Sequence, residues 1–128
     1  MSYYFNKTLT CDFETAIQKV TNALKQIGFG IVTEMDLQTI FKKKLNKDFR
    51  KYRILGACNP NFAFQALAKE DKIGTMLPCN IIVQELEDGQ IEVAAVNPKA
   101  SMKAIKNDEL VSFSEEVEVM LKSVIEGL

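Results

Sequence analysis

The segment CNIIVQELEDGQIEVAAV, residues 79–96, is the clearest structural signal in this 128-residue chain. It holds two β-prone runs, 79–86 and 91–96, on either side of Asp88-Gly89. An Asp-Gly pair between two such runs is a strong hairpin signal, because both residues tolerate the backbone conformation of a tight turn. The segment therefore predicts two neighbouring antiparallel strands.

Long amphipathic helices are predicted on both sides of this hairpin. Upstream, Asp12 is suited to cap a helix and Gly28 to end it. Between them, apolar residues recur at spacings of three and four, which is the helical period: Phe13, Ala16, Ile17, Val20, Leu24 and Ile27. Downstream, residues 108–127 carry an apolar stripe opposite acidic and basic residues, which predicts a second long helix.

Three further strands and two short helices complete the predicted order. The strands are predicted over residues 3–10, 29–35 and 52–58. Asp36 and Asn59, the latter followed by Pro60, are suited to begin the short helices. Short connections favour an antiparallel sheet with the two long helices on one face. We therefore expect an α+β fold, and the length fits one domain over residues 1–128.

Composition excludes several classes of function. The chain contains no histidine, which excludes Ser-His-Asp and Cys-His catalysis by this chain alone, and also histidine-ligated metals. Sixteen basic and seventeen acidic residues give a net charge of -1, so no overall field favours nucleic acid or a membrane. We see no acid/base pair or glycine-rich phosphate loop, and the balance of these observations argues against an enzyme.

The cellular setting is predicted from what the sequence lacks. No stretch approaches the length of a membrane-spanning apolar run, and the N-terminal residues do not have the pattern of a signal peptide. Three cysteines are too few for a secreted disulfide scaffold. We therefore expect a cytoplasmic protein with no membrane partner.

Two cysteine segments, Cys58-Asn59 and Cys79-Asn80, are the strongest candidates for a site. Cys58 ends one predicted strand and Cys79 begins the next. If these strands are antiparallel neighbours, the residues between them form an excursion that returns to the same place. The two thiols and the two amides then lie close together, and each amide offers both a donor and an acceptor to a ligand.

Three interpretations of these cysteines stay open. They could form a reversible disulfide, with Cys58 activated by the helix that follows it. They could hold a soft metal ion, although no third or fourth ligand is evident. The simplest interpretation is that Cys58 and Cys79 are buried as small apolar residues, the common state of free cysteine. Cofactors are not defined by the sequence.

A basic stretch provides a separate candidate. Residues 42–53 carry seven positive charges, interleaved with Phe49 and Tyr52. This composition fits binding of RNA or another polyanion. A solvated helix end explains it more simply, since lysines are favourable near a helix C-terminus, and we do not expect nucleic acid as a partner. Arg53 stands out because a strand residue has a fixed direction, so we include it among the candidate ligand-binding residues.

The cysteine segments also carry a family resemblance. The phrase YRILGACNP, residues 52–60, followed by Gly74 and LPCN, residues 77–80, resembles the bacterial and archaeal domain-of-unknown-function 302 family. Gly28-Phe29-Gly30 with Asp36, and Asn97-Pro98, also fit. The resemblance implies a TATA-binding-protein-like order of one strand, one helix, four antiparallel strands and one helix. It also implies a homodimer, and no catalytic residues.

The favoured hypothesis is a small, non-enzymatic, homodimeric binding module. Its ligand, a small molecule or a soft metal ion, would lie near Cys58, Asn59, Cys79 and Asn80. The alternatives are a thiol redox protein that uses Cys58 and Cys79, and a polyanion-binding protein that uses residues 42–53.

Overall fold

A computed structural model describes residues 2–128, and over this range the chain forms a five-stranded antiparallel sheet with helices on one face. The strands are β1 (Tyr4–Leu9), β2 (Gly30–Asp36), β3 (Tyr52–Cys58), β4 (Cys79–Glu85) and β5 (Ile91–Val96). The helices are α1 (Phe13–Gln26), α2 (Leu37–Leu45), α3 (Pro60–Lys69), α4 (Pro98–Ser101) and α5 (Val111–Glu126), with 3-10 turns at Asp71–Met76 and Asp108–Leu110. Across the sheet the strands lie in the order β1-β5-β4-β3-β2. The predicted fold class is confirmed.

The helices begin where the sequence predicts. Asp12 accepts a 2.7 Å hydrogen bond from the backbone N–H of Thr15, which lowers the pKa of the Asp12 carboxyl. Asp36 caps α2 through the backbone N–H of Thr39. That bond is also the main cause of the lowered pKa of Asp36. These side chains satisfy N–H groups that have no partner inside the helix, so the caps set where α1 and α2 start.

Gly28 and Asn46 end the first two helices in left-handed backbone. Gly28, two residues after the end of α1, has φ of 84°, and Asn46, directly after α2, has φ of 52°. Glycine adopts this conformation without steric cost, and asparagine is the side chain that tolerates it best. The chain can therefore reverse direction into β2 after α1.

The hydrophobic core lies between the sheet and the two long helices. Successive strand residues alternate between faces, and the inward set on the three central strands is buried: Leu55, Ala57, Cys79, Ile81, Val83, Ile91, Val93 and Ala95. From the other side, α1 and α5 contribute Ala16, Val20, Leu24, Leu121, Val124 and Ile125. Apart from Gly56, which is buried, residues on the opposite face of the sheet are half-buried or exposed. That second face is called the open face below.

The C-terminal third differs in detail from the sequence prediction. The predicted order has no helix directly after the second arm of the hairpin, but Asn97 accepts a hydrogen bond from the backbone N–H of Lys99 and begins α4 there. The same pairing of an asparagine cap with a following proline begins α3 at Asn59. The last predicted helix, 108–127, starts with a 3-10 turn before α5. Of the helices in residues 2–128, none is both long and apolar enough to cross a membrane.

Candidate functional site

The sheet places the two cysteine segments side by side. Strands β3 and β4 pair in antiparallel register, with Ala57 opposite Cys79 and Gly56 opposite Asn80. The chain between them, which forms α3 and the first 3-10 turn, leaves the end of β3 and returns to the start of β4. The predicted antiparallel pairing of these two strands is present, but the predicted gathering of all four side chains is not, because Asn80 lies on the other face.

Strand alternation divides the candidate residues between the two faces. Cys79 points into the core and is 7% exposed, whereas the next residue, Asn80, lies exposed on the open face. Asn59 caps α3 through its side-chain oxygen, which accepts hydrogen bonds from the backbone N–H groups of Asn61 and Phe62. Cys58, Asn59 and Cys79 border the same pocket, and Asn80 does not.

This pocket lies between the ends of β3 and β4, helix α3 and the start of α5. We call it the cysteine pocket. Its volume is about 50 Å³, and besides the three residues already named its walls are largely apolar. They include Phe29, Ala57, Phe62, Ala63, Ala66, Ile73, Leu77, Met102, Leu110, Phe113 and Val117. The edge-to-face contact of Phe62 with Phe113, at 5.8 Å between ring centroids, joins α3 to α5 on one side of it.

Polar groups in the cysteine pocket are largely engaged within the protein. The Ser114 hydroxyl donates to the carbonyl of Val111 at 2.8 Å. The Asn59 side-chain oxygen is occupied by the α3 cap. The groups that face the pocket are therefore mainly hydrocarbon, with two thiols that are at most weak hydrogen-bond donors.

The Cys79 thiol is held in its protonated form. Burial raises its pKa to about 11, and the nearby Cys58 adds to the effect in the same direction. The cysteines at 11, 58 and 79 are all free. Because the thiolate is the nucleophile and the metal ligand, this environment opposes both the redox and the soft-metal use of Cys79 at neutral pH.

A pH dependence of stability follows from that pKa. Between pH 9 and 11 the unfolded chain loses a thiol proton that the folded chain keeps, since the ordinary value is 9.0 and the folded value is about 11. Stability should therefore fall through this window, by up to about 2 kcal/mol from this group. Urea unfolding at neutral pH and at about pH 10 would measure it. The Cys79→Ala variant should lose less stability than the wild type over the same change, and equal losses would contradict the assignment.

A complete metal site is not evident within the part of the chain that the structure describes. No group of three or more cysteine, aspartate or glutamate side chains is arranged to hold an ion among residues 2–128. A metal on Cys58 and Cys79 would need further ligands from elsewhere.

Arg53 is not brought to the cysteine segments. It lies five residues before Cys58 on β3, roughly 16 Å along the strand. Its guanidinium contacts three carboxylates, those of Glu14 at 3.1 Å, Glu34 at 3.2 Å and Asp36 at 3.9 Å. The group also lies 5.2 Å from the centre of the Phe13 ring. Its charge is therefore paired with carboxylates of α1 and of the neighbouring strand β2.

Other members of the basic stretch 42–53 also have local partners. Lys42 pairs with Asp48 at 3.0 Å on the surface. Arg50 lies 4.4 Å from the Phe49 ring centre and donates to the Gln84 side chain. Three of the seven cations, Lys42, Arg50 and Arg53, are therefore engaged within the protein, and the stretch runs from the end of α2 through a connecting segment to the start of β3.

The sequence did not indicate most of the pocket walls. Met102, Leu110 and Phe113 come from the C-terminal third, and only the packing of α5 beside α3 brings them to the cysteines. The helical period of 108–127 predicts a buried stripe, but it does not say which element that stripe meets.

Comparisons with known proteins agree with the fold. A family model described as "Domain of unknown function DUF302" matches residues 5–128. The structure is similar to the crystal structure of an uncharacterized conserved DUF302 protein from Bacillus stearothermophilus, with a TM-score of 0.91 over 98% of each chain at 21% sequence identity. At that identity the likeness concerns the fold alone. No curated protein matches the chain.

Proposed function

The chain belongs to the DUF302 family, and from that premise we propose that it is a non-enzymatic binding module that takes a small apolar ligand in the cysteine pocket. The observation that carries the proposal is the pocket itself. It is lined mainly by hydrocarbon from β3, β4, α3, α5 and both 3-10 turns, at the point where the two cysteine segments meet. Apolar concave sites with few polar groups are typical of small-molecule binding.

The size of the cysteine pocket limits what can enter. An engineered apolar cavity of about 150 Å³ binds benzene, and this pocket has about 50 Å³. The buried part of the ligand is therefore smaller than a benzene ring, such as the end of an alkyl chain. The rest of the ligand would extend past α3 toward solvent.

Chemistry at the pocket floor favours a neutral group. The Cys79 thiol is protonated at neutral pH because burial raises its pKa to about 11. A charged ligand group placed there would lose its hydration and gain no partner of opposite charge among the lining residues, which is costly. The thiols thus serve as polarisable walls, and the ligand is recognised by shape and apolar contact.

The test is to fill the pocket with a side chain of the protein. Ala66 is 8% exposed on α3 and lines the cysteine pocket, whereas Ala68 on the same helix is exposed. We expect n-butanol, n-hexanol and n-octanol to shift the amide NMR signals of Ala57, Ala63 and Phe113 in the wild type. Ala66→Leu should abolish those shifts, because the added carbons occupy the space. Ala68→Leu should leave them unchanged.

Three outcomes would count against the proposal. The alcohols could cause no shift near the pocket, could shift signals all over the protein equally, or could act on Ala66→Leu as on the wild type. Folding of each variant is checked by its own amide spectrum.

The metal-binding, redox and homodimer hypotheses are each tested by a separate measurement. A soft metal ion would bind the wild type and not the Cys58→Ser/Cys79→Ser variant. A redox role would give a disulfide between Cys58 and Cys79 after peroxide treatment. The homodimer implied by the family resemblance stays a prediction, which the sedimentation coefficient of the protein would check.

A further inference from the structure

The open face of the sheet carries a groove that the cysteine pocket does not reach. Its volume is about 370 Å³. Its floor includes Ile82 on β4 with Ala94 and Val96 on β5. The pairing of Ile82 with Ala94 places these side chains next to each other on the same face. We call this feature the tyrosine groove, for the residues at its sides.

All three tyrosines of the chain line the tyrosine groove. Tyr3 and Tyr4 stand at the β1 side, with their rings edge-to-face at 4.9 Å, and Tyr52 stands on β3. Two strands separate β1 from β3, so the sides are roughly 14 Å apart. That span is too wide to sandwich one ring between tyrosines, but it accommodates a planar ring system lying on the apolar floor.

The carboxylate of Glu92 is held in the groove by a chain of hydrogen bonds that runs from Arg50, two residues before the start of β3, through β4 and β5, to β1. Arg50 donates to the Gln84 side-chain oxygen at 2.9 Å, and the Gln84 amide donates to one oxygen of Glu92 at 2.7 Å. The other oxygen of Glu92 accepts from the Asn6 amide at 2.9 Å. Both direct partners of Glu92 are neutral amides. Its position is thus fixed while its negative charge is not neutralised by a direct ion pair.

Glu92 is the one charged side chain among the residues that line this groove in the described structure. The Arg50 guanidinium lies at the edge of the groove, 5.4 Å from the centre of the Tyr52 ring. Each carboxylate oxygen has acceptor capacity beyond the single bond it receives here. A ligand that brings an ammonium or amino group would therefore gain a charge-assisted hydrogen bond. A phosphate or carboxylate placed beside Glu92 would meet repulsion instead.

From this arrangement we propose that the tyrosine groove is a second binding site, for a planar aromatic molecule that carries an amino group. The ring system lies on Ile82, Ala94 and Val96, and the amino group donates to Glu92. This site shares no lining residue with the cysteine pocket, which lies on the helix side of the sheet. Either proposal can fail without the other.

Tryptamine, indole and indole acetate are the probes, because they share one ring and differ in charge. Binding is followed by NMR titration of the Ile82, Ala94 and Val96 amides, which lie in the groove. Tryptamine should bind about fivefold more tightly than indole, the upper range for a solvent-accessible ion pair. Indole acetate should bind most weakly.

Variants separate the charge from the ring contacts. Glu92→Gln should remove the preference for tryptamine and leave the affinity for indole unchanged. Tyr52→Leu should weaken the binding of tryptamine and the binding of indole by the same factor. Glu87→Gln is the matched control, because Glu87 is exposed in the β4–β5 turn outside the groove, and it should keep the wild-type preference.

The proposal is overturned by any of four results. Tryptamine could fail to shift the NMR signals of the groove amides, or indole acetate could bind most tightly of the three probes. Glu87→Gln and Glu92→Gln could change the preference for tryptamine equally. The protein could also form a dimer in which a second copy covers the groove amides. Binding of a single-stranded oligonucleotide in the groove would likewise assign the face to another class of partner.

Discussion

Ile81→Ala is expected to lower the free energy of unfolding by about 3 to 4 kcal/mol, the usual cost of emptying a fully buried isoleucine site. Ile81 lies on the central strand β4, its side chain is fully buried, and it belongs to the core cluster formed with the long helices. The loss combines the missing apolar burial with a cavity that surrounding side chains fill only in part. Urea unfolding of the wild type and the variant, with the slope compared, measures it.

Ile82→Ala is the matched control for that substitution. Ile82 is the next residue of β4, has the same side chain and points to the open face, where it is half-buried. We expect a loss of about 1 kcal/mol, because most of the side chain's contacts with core atoms are absent there. A loss at Ile82 equal to that at Ile81 would show that the open face is covered in solution, and it would contradict an accessible tyrosine groove.

Gly56→Ala is expected to destabilise the fold by about 3 kcal/mol, at the upper end of the usual cost of overpacking. Gly56 lies on β3 between two close neighbours. A Cβ atom there would lie 2.0 Å from Thr33 Oγ1 and 2.5 Å from Pro78 Cγ. The proline ring belongs to the segment that leads into Cys79 and cannot turn aside as a flexible side chain would. The midpoint of urea unfolding should therefore fall clearly.

Gly30→Ala and Thr33→Ala test the cause of that effect. Nothing lies within 4 Å of a Cβ placed at Gly30, so Gly30→Ala should change stability by less than about 0.5 kcal/mol. Adding Thr33→Ala to Gly56→Ala should recover part of the loss, because it removes one of the two clashing atoms. A double-mutant cycle gives the coupling energy. No coupling, or a Gly56→Ala variant as stable as the wild type, would refute the close packing at this point.

Much of the fold could be predicted because its signals are local. Asp12, Asp36 and Asn59 each satisfy N–H groups within the next three residues, so a cap is visible in a few letters of sequence. Strand β3 matches its predicted range at both ends. The helix at Pro98 was missed, although Asn97 gives the same local signal as Asn59.

The candidate site was predicted in part. The sequence favoured antiparallel pairing of β3 with β4, and that pairing, which the structure has, brings Cys58 and Cys79 to one end of the sheet. Grouping Asn80 with Cys79 neglected the two-residue period of a strand, which sends adjacent side chains to opposite faces. Arg53 also had a fixed direction, but the carboxylates that it meets come from α1 and β2, and no motif records that contact.

The sequence by itself determined the periods, the caps and the turn, because these depend on residues a few positions apart. It also determined that these 128 residues supply no histidine side chain, which leaves cysteine as the group to examine near neutral pH. Only the tertiary structure decided that Cys79 is a buried thiol with a pKa of about 11. It alone assembled the tyrosine groove, from residues as far apart as Tyr3 and Val96. Burial and electrostatic environment depend on which distant segments pack together, and that choice belongs to the whole chain.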